Sequence, residues 1–130
     1  VYENNPDANV VLHVHHQAGI TASRALSKDD RIVIKGHELS KAFAGITSHE
    51  TSVEVPVVPN DQRMQVICEA LAAWRPREGG ETVRAPGFLV ALHGAYIWGR
   101  NEAEAFRHLE ALDHMLSCEL AINGLEPTSS

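Results

Sequence analysis

The sequence predicts a layered α/β domain. Three observations carry that reading. Short β-branched runs alternate with segments of helical spacing. A long, well-capped amphipathic helix closes the chain. Apolar residues make up 44% of the sequence, enough for one packed core.

The elements follow in order. Residues 1–8 are polar and turn-rich. Residues 9–15 are β-branched and apolar and read as a strand. Residues 17–26 are small, interrupted only by Gly19, and read as a helix lying on the sheet. A polar turn at 27–30 leads into a second strand at 31–34. Gly36 ends it, and 37–44 reads as a helix closed by Gly45. After a loop at 47–51, residues 52–58 alternate and give a third strand, with Pro56 suggesting an edge or a strand end. Asn60 or Asp61 can cap a helix to about Trp74, with Met64, Ile67, Leu71 and Trp74 on one face. Prolines and glycines mark 75–86 as a surface loop. Strands at 87–93 and 96–99 flank a tight turn at Gly94. Asn101 and Glu104 form a capping box for a helix to about Asn123. Phe106, Leu109, Leu112, Leu116 and Leu120 form its apolar stripe, and Gly124 and Pro127 end it. Residues 1–124 thus read as one domain and 125–130 as a tail. The apolar faces at 10–12, 53–58 and 106–120 are expected to lack a partner within the chain.

Composition excludes several functions. Lys plus Arg is 11 and Asp plus Glu is 17, a net charge of −6. With no basic run, the chain is a poor binder of nucleic acid or of an anionic membrane. No stretch approaches the roughly 20 apolar residues of a membrane span, and no secretory signal pattern is visible. Cys68 and Cys118 form neither a framework nor a C-x-x-C, which fits free buried thiols in a reducing, cytoplasmic setting.

Eight histidines in 130 residues stand out. His13 and His15 are two apart in a strand and share a face. Two imidazoles make half of a metal site, since catalytic zinc takes three protein ligands and keeps a fourth position open. The duller alternative is a pair of surface histidines. His93 ends an apolar strand and precedes Gly94, which permits close backbone approach. It suits a third ligand, or a core histidine capping a hairpin. His16 points to the opposite face, His37 opens a helix, and His49 lies in a polar loop. His108 and His114 have no ligand type at the next helical step, where Leu112 and Cys118 stand. Glu38 falls in the first turn of a helix, where the dipole favours a carboxylate. Near a metal the same group can act as a general acid/base.

The segments VVLHVHH, IKGHELSKAFAG, VEVPVVPND and GFLVALHGAYIWGRNEAEAFRHLEALDHMLSCEL together resemble the class II aldolase family, over about 2–124. The last segment is most similar to the dehydratases of that family. The resemblance implies a three-layer α/β/α domain with a central, mainly antiparallel sheet. It implies that His13, His15 and His93 hold one divalent ion per subunit, usually zinc, and that Glu38 is the acid/base. The implied reaction is loss of water from a phosphorylated ketose in methionine salvage. The implied assembly is a homo-oligomer, commonly a tetramer, with sites between subunits. Two departures accompany it. The ligand pair reads His13-Val14-His15-His16 where those dehydratases read H-T-H-S. The Gly/Asn/Ser-rich phosphate loop that precedes the H-x-H strand in the family has no counterpart here. The chain is therefore expected to be the C-terminal, metal-binding part, with the N-terminal part missing. The rival readings are a sugar-phosphate aldolase or epimerase with the same zinc site, and a non-catalytic assembly module of the adducin kind.

Overall fold

A computed structural model describes residues 8–37, 41–43, 51–76 and 82–124. The elements are β1 (Val10–Val14), α1 (Gln17–Ala25), β2 (Arg31–Ile34), β3 (Ser52–Val58), α2 (Met64–Ala73), β4 (Thr82–Arg84), β5 (Gly87–Val90), β6 (Gly94–Gly99) and α3 (Glu102–Ile122). The sheet order is β1-β6-β5-β3-β2, with β4 also on β3. Pairs β1–β6, β5–β6 and β2–β3 are antiparallel, while β3–β4 and β3–β5 are parallel. The sheet is mixed, with the antiparallel pairs in the majority, as the resemblance implied.

Period-two alternation builds the two faces. Leu89, Ala95, Ile97, Val53, Val55 and Val57 meet Ala18 and Ala22 of α1 and Leu112, Met115, Leu116 and Leu120 of α3. Phe88, Val90, Trp98 and Val58 project to the other side and meet Leu71, Ile67 and Ala70 of α2. Helices on both faces of one sheet make the three layers α/β/α.

Strand β3 lies inside the sheet, not at its edge as Pro56 suggested. Val53 pairs with Ile34 on one side and Val83 on the other. The Val57 N–H donates to Asp30 on the β2 side, while the carbonyls of Glu54 and Val58 accept from Ala85 and Ala91 on the other. The missing N–H of Pro56 therefore falls toward the second side, at the break between β4 and β5, where no ladder bond is lost. The expectation that 53–58 lacks a partner fails for the same reason. Glu54 is buried in this strand and accepts from Arg31 Nη1 of β2 at 2.7 Å, which compensates its desolvation.

Other differences are local. Helix α2 starts at Met64, later than an Asn60 or Asp61 cap would place it. The Asp61 carboxylate instead accepts from the Arg63 backbone N–H at 2.8 Å in a turn before the helix. Met64 is exposed, whereas Leu71 and Trp74 are buried. Part of the loop expected at 75–86 forms β4. Strand β5 stops at Val90, and 91–93 form the turn. Of the helix expected at 37–44, the described residues Lys41 and Ala42 form a single 3-10 turn, and 38–40 and 44 lie outside the described residues. Pro127 and the 125–130 tail also lie outside them. Cys118 is half-buried and Cys68 exposed, so neither is the buried thiol expected.

Helix α3 starts and stops where its caps say. Asn101 accepts from the Glu104 N–H at 2.8 Å, and Gly124 has the left-handed φ of 69°. The Glu104 carboxylate turns back to the Arg100 backbone N–H at 3.0 Å rather than to that of Asn101. Phe106 departs from the expected stripe and is exposed. Its place facing the core is taken by Ala105, His108, Ala111 and Met115. Leu112, Leu116 and Leu120 are fully covered within the chain.

The Arg100 side-chain and backbone donors hold the Glu104 carboxyl down from 4.5 to about 2. A depressed folded pKa stabilises above the unfolded value, and that stability is lost as pH falls through the folded one. Unfolding in urea followed from pH 6 to pH 2 should show stability falling below about pH 4.5, and Glu104→Gln should flatten this slope. An unchanged slope would remove Glu104 from the acid response.

Candidate metal centre

Strand β6 brings the three sequence-distant histidines together. It pairs with β1 through His13↔Tyr96 and Val14↔Ala95, and with β5 through Val90↔Gly94. The exit of β1 carries His13 and His15. The β5–β6 turn carries His93. All three side chains are exposed at one end of the sheet.

The ring nitrogens converge. His15 Nε2 lies 3.1 Å from His13 Nε2 and 3.1 Å from His93 Nε2. The centroid of His93 is 5.4 Å from that of His13 and 4.6 Å from that of His15. His13 Nδ1 lies 3.0 Å from the Ala95 carbonyl oxygen. A carbonyl only accepts, so Nδ1 carries the proton and Nε2 presents its lone pair. The Tyr96 ring stacks on His13 with centroids 4.1 Å apart and fixes the imidazole plane.

This arrangement fits a metal. With His13 Nε2 unprotonated, a neutral His15 has at most one N–H to share between two neighbouring nitrogens. A cation at the centre satisfies all three lone pairs together. Nitrogens about 2.0–2.1 Å from a tetrahedral zinc stand roughly 3.3 Å apart, close to the separations seen. Among the described residues, these three are the cluster whose ligand atoms could hold an ion, all within 4.8 Å of one another.

The remaining histidines sort differently. His16 precedes α1, with its ring packed where a Cβ on Gly19 would come within 2.2 Å of Cε1. That contact explains the glycine inside a helix. Its Nε2 lies 3.8 Å from an Asp113 oxygen, outside the cluster. His108 is buried, with Nδ1 donating to the Trp98 carbonyl at 2.7 Å and the ring edge-on to Phe43. Burial pushes its pKa down. His37 Nε2 lies 2.7 Å from Glu119 Oε1 on α3. His114 is exposed on α3, and His49 lies outside the described residues.

Glu38 lies outside the described residues as well. The strand leading to it does not run toward the cluster. Ile34, the end of β2, pairs with Val53, five steps before Val58, beside which β5 ends. At about 3.3 Å per residue that is roughly 17 Å along the strands. The sequence reading missed Ala95 and Tyr96 as supports of His13. Only the β1–β6 register reveals them, and that pairing spans 82 positions.

A mixed sheet between two helix layers, with three imidazoles gathered at one end, defines a class II aldolase-type domain. The chain belongs to the Class II Aldolase and Adducin N-terminal domain family, whose model matches residues 1–120. A protein named methylthioribulose-1-phosphate dehydratase from Xanthomonas oryzae pv. oryzae is 44% identical over 128 residues, covering 98% of this chain and 55% of its own length. One of the same name from Parvibaculum lavamentivorans is 38% identical over 119 residues, covering 92% and 56%. The chain spans about half the length of the curated relatives it matches. In fold it is similar to L-fuculose 1-phosphate aldolase, with TM-score 0.61, 15% identity and coverage of 99% of this chain and 53% of that one. It is also similar to YgbL of Klebsiella pneumoniae, described as an aldolase/epimerase/decarboxylase candidate, with TM-score 0.67, 24% identity and coverage of 97% and 55%.

Gly94 sets the close approach of β6 to the ligand pair. A Cβ there would meet the Val14 carbonyl oxygen at 2.2 Å and His15 Cδ2 at 3.1 Å. Gly94→Ala should destabilise the fold by about 1–3 kcal/mol or more, the scale of a strained backbone site. Urea unfolding measures the loss. A variant as stable as the parent would show that β1 and β6 have slack at this point.

Proposed function

We propose that this chain is the metal-binding part of a zinc-dependent lyase that dehydrates a ketose 1-phosphate, methylthioribulose 1-phosphate, in methionine salvage. The carrying observation is the convergence of three Nε2 atoms in a chain 44% identical to a protein named for that reaction. His13, His15 and His93 would hold the ion. Bound there, it supplies a Lewis acid for the negative charge that develops on the substrate oxygen as a neighbouring C–H proton leaves. Three neutral imidazoles would leave its charge of +2 uncompensated.

The chain's own residues do the rest. The Ala95 carbonyl and the Tyr96 ring hold His13 in one tautomer and one plane. Glu38 moves the proton, taking it from carbon or delivering it to the departing hydroxyl. An intersubunit site, as the family resemblance implies, would take Glu38 from a second copy. A tetramer with sites between subunits fits that requirement. No described helix is long and apolar enough to cross a membrane.

The first test is product analysis with the protein as encoded, loaded with zinc and given methylthioribulose 1-phosphate. Loss of water supports the reading. Carbon–carbon cleavage or epimerisation would transfer the site to the rival sugar-phosphate chemistry. A protein that binds no divalent ion would count for the assembly-module alternative. His93→Ala should abolish stoichiometric zinc by elemental analysis while leaving the helical signal intact.

The second test concerns Glu38. Glu38→Gln should keep the metal and lower turnover by about 10²-fold or more. Co-expressed or remixed with His93→Ala, it should regain activity that neither variant has alone. Full activity of Glu38→Gln would remove it from the mechanism. No regain on mixing would place Glu38 and the histidines of one site in the same copy.

A further inference from the structure

We propose that Ser23 is a positioning residue for the His93 ligand, acting through the turn that carries it. The inference rests on the metal reading above. His93 closes the three-residue turn between β5 and β6, and Leu92 at its centre has φ 57°. Side chains rarely adopt that left-handed conformation, and for a bulky residue it is strained. Burial does not hold it there, because Leu92 is 53% exposed. Two hydrogen bonds do. The His93 N–H donates to the Val90 carbonyl at 3.0 Å. The Leu92 N–H donates to Ser23 Oγ at 2.9 Å, across 69 positions of sequence.

Ser23 is built for that bond. It lies on α1 and is 2% exposed. Its hydroxyl donates to the Ile20 carbonyl at 2.7 Å, which fixes the O–H direction and leaves the oxygen lone pairs for Leu92. Helix α1 begins two residues after His15. The element that follows two ligands therefore also clamps the turn that bears the third. Without the hydroxyl, the Leu92 N–H loses its acceptor in a half-buried place. The turn then escapes both the orphaned donor and the strained φ by leaving the left-handed region. That movement carries His93 Nε2 away from His15.

Zinc competition with a chromophoric chelator, and the visible spectrum of the cobalt-loaded protein, read the ligand geometry without turnover. Ser23→Ala should bind zinc at least about tenfold more weakly, the lower end of the loss from removing a supporting hydrogen bond around a ligand. Its cobalt spectrum should shift, with little change in helical signal. Ser23→Thr keeps the hydroxyl and should recover most of the affinity. Amide hydrogen exchange at Leu92 in the metal-free protein gives a second measurement, with protection in the parent and its loss in Ser23→Ala. Unchanged affinity and an unchanged spectrum in Ser23→Ala would overturn the proposal, as would an unprotected Leu92 amide in the parent. A parent that binds no metal but protects Leu92 would overturn the metal reading, and this assignment with it, by a separate result.

Discussion

Strand β6 hydrogen-bonds on both edges, to β1 through Val10↔Gly99 to Val14↔Ala95 and to β5 through Gly87↔Ile97 to Val90↔Gly94. Every other feature of the site depends on that double pairing. Backbone donors and acceptors in a buried sheet must all be matched, so the register admits little slip. A shift of one residue would exchange Ala95 and Ile97, which meet α1 and α3, for Tyr96 and Trp98, which meet the α2 side. The same shift would take the Ala95 carbonyl from His13 Nδ1 and the Tyr96 ring from the His13 face. The hydrophobic sorting that makes the fold thus also sets the tautomer of a candidate ligand. Packing and site geometry are one constraint here.

The histidines show how environment divides one residue type among roles. His108 is enclosed by α3, Trp98 and Phe43, bonded to a carbonyl, and acts as a core residue. His16 is half-buried with both ring nitrogens lacking a hydrogen-bond partner. Burial pushes its pKa down against the weaker pull of Asp113, so the neutral form is favoured. His13, His15 and His93 remain exposed with their Nε2 atoms facing each other. Sequence spacing separates His16 from His15 by alternation alone, and the structure agrees.

Much of this was legible because it is local. The Asn101 cap, the Gly124 stop, the 31–34 and 52–58 strands and the shared face of His13 and His15 all follow from patterns a few residues long. What was not legible is pairing across long separations. Pro56 argues for an edge only if β3 has one neighbour per side along its whole length, and the break between β4 and β5 removes that premise. Phe106 fits a helical stripe by spacing, yet the small Ala105 and Ala111 and the buried His108 take the inner face, because α3 lies close against the sheet. Apolar composition places His93 at a strand end. The chain turns earlier, at Ala91, because the Val58 carbonyl is its last ladder partner. Spacing alone leaves His93 open between ligand and core histidine, and only the family resemblance joins it to His13 and His15 as a set.

The ligand set constrains the chemistry further. Imidazoles bring no negative charge, so an ion held by these three side chains keeps its full charge for substrate oxygens. With an ion held there, the three Nε2 lone pairs would face the centre and His13 Nδ1 faces Ala95, so the cluster itself would offer no base. No carboxylate joins the cluster among the described residues. Proton transfer at such an ion would then need a group from outside the cluster. The β2 end points away from the cluster, and the 2.7 Å contact between His37 and Glu119 ties the residue before Glu38 to the last turns of α3. The pairing that gathers the three imidazoles therefore does not by itself supply the proton-moving group.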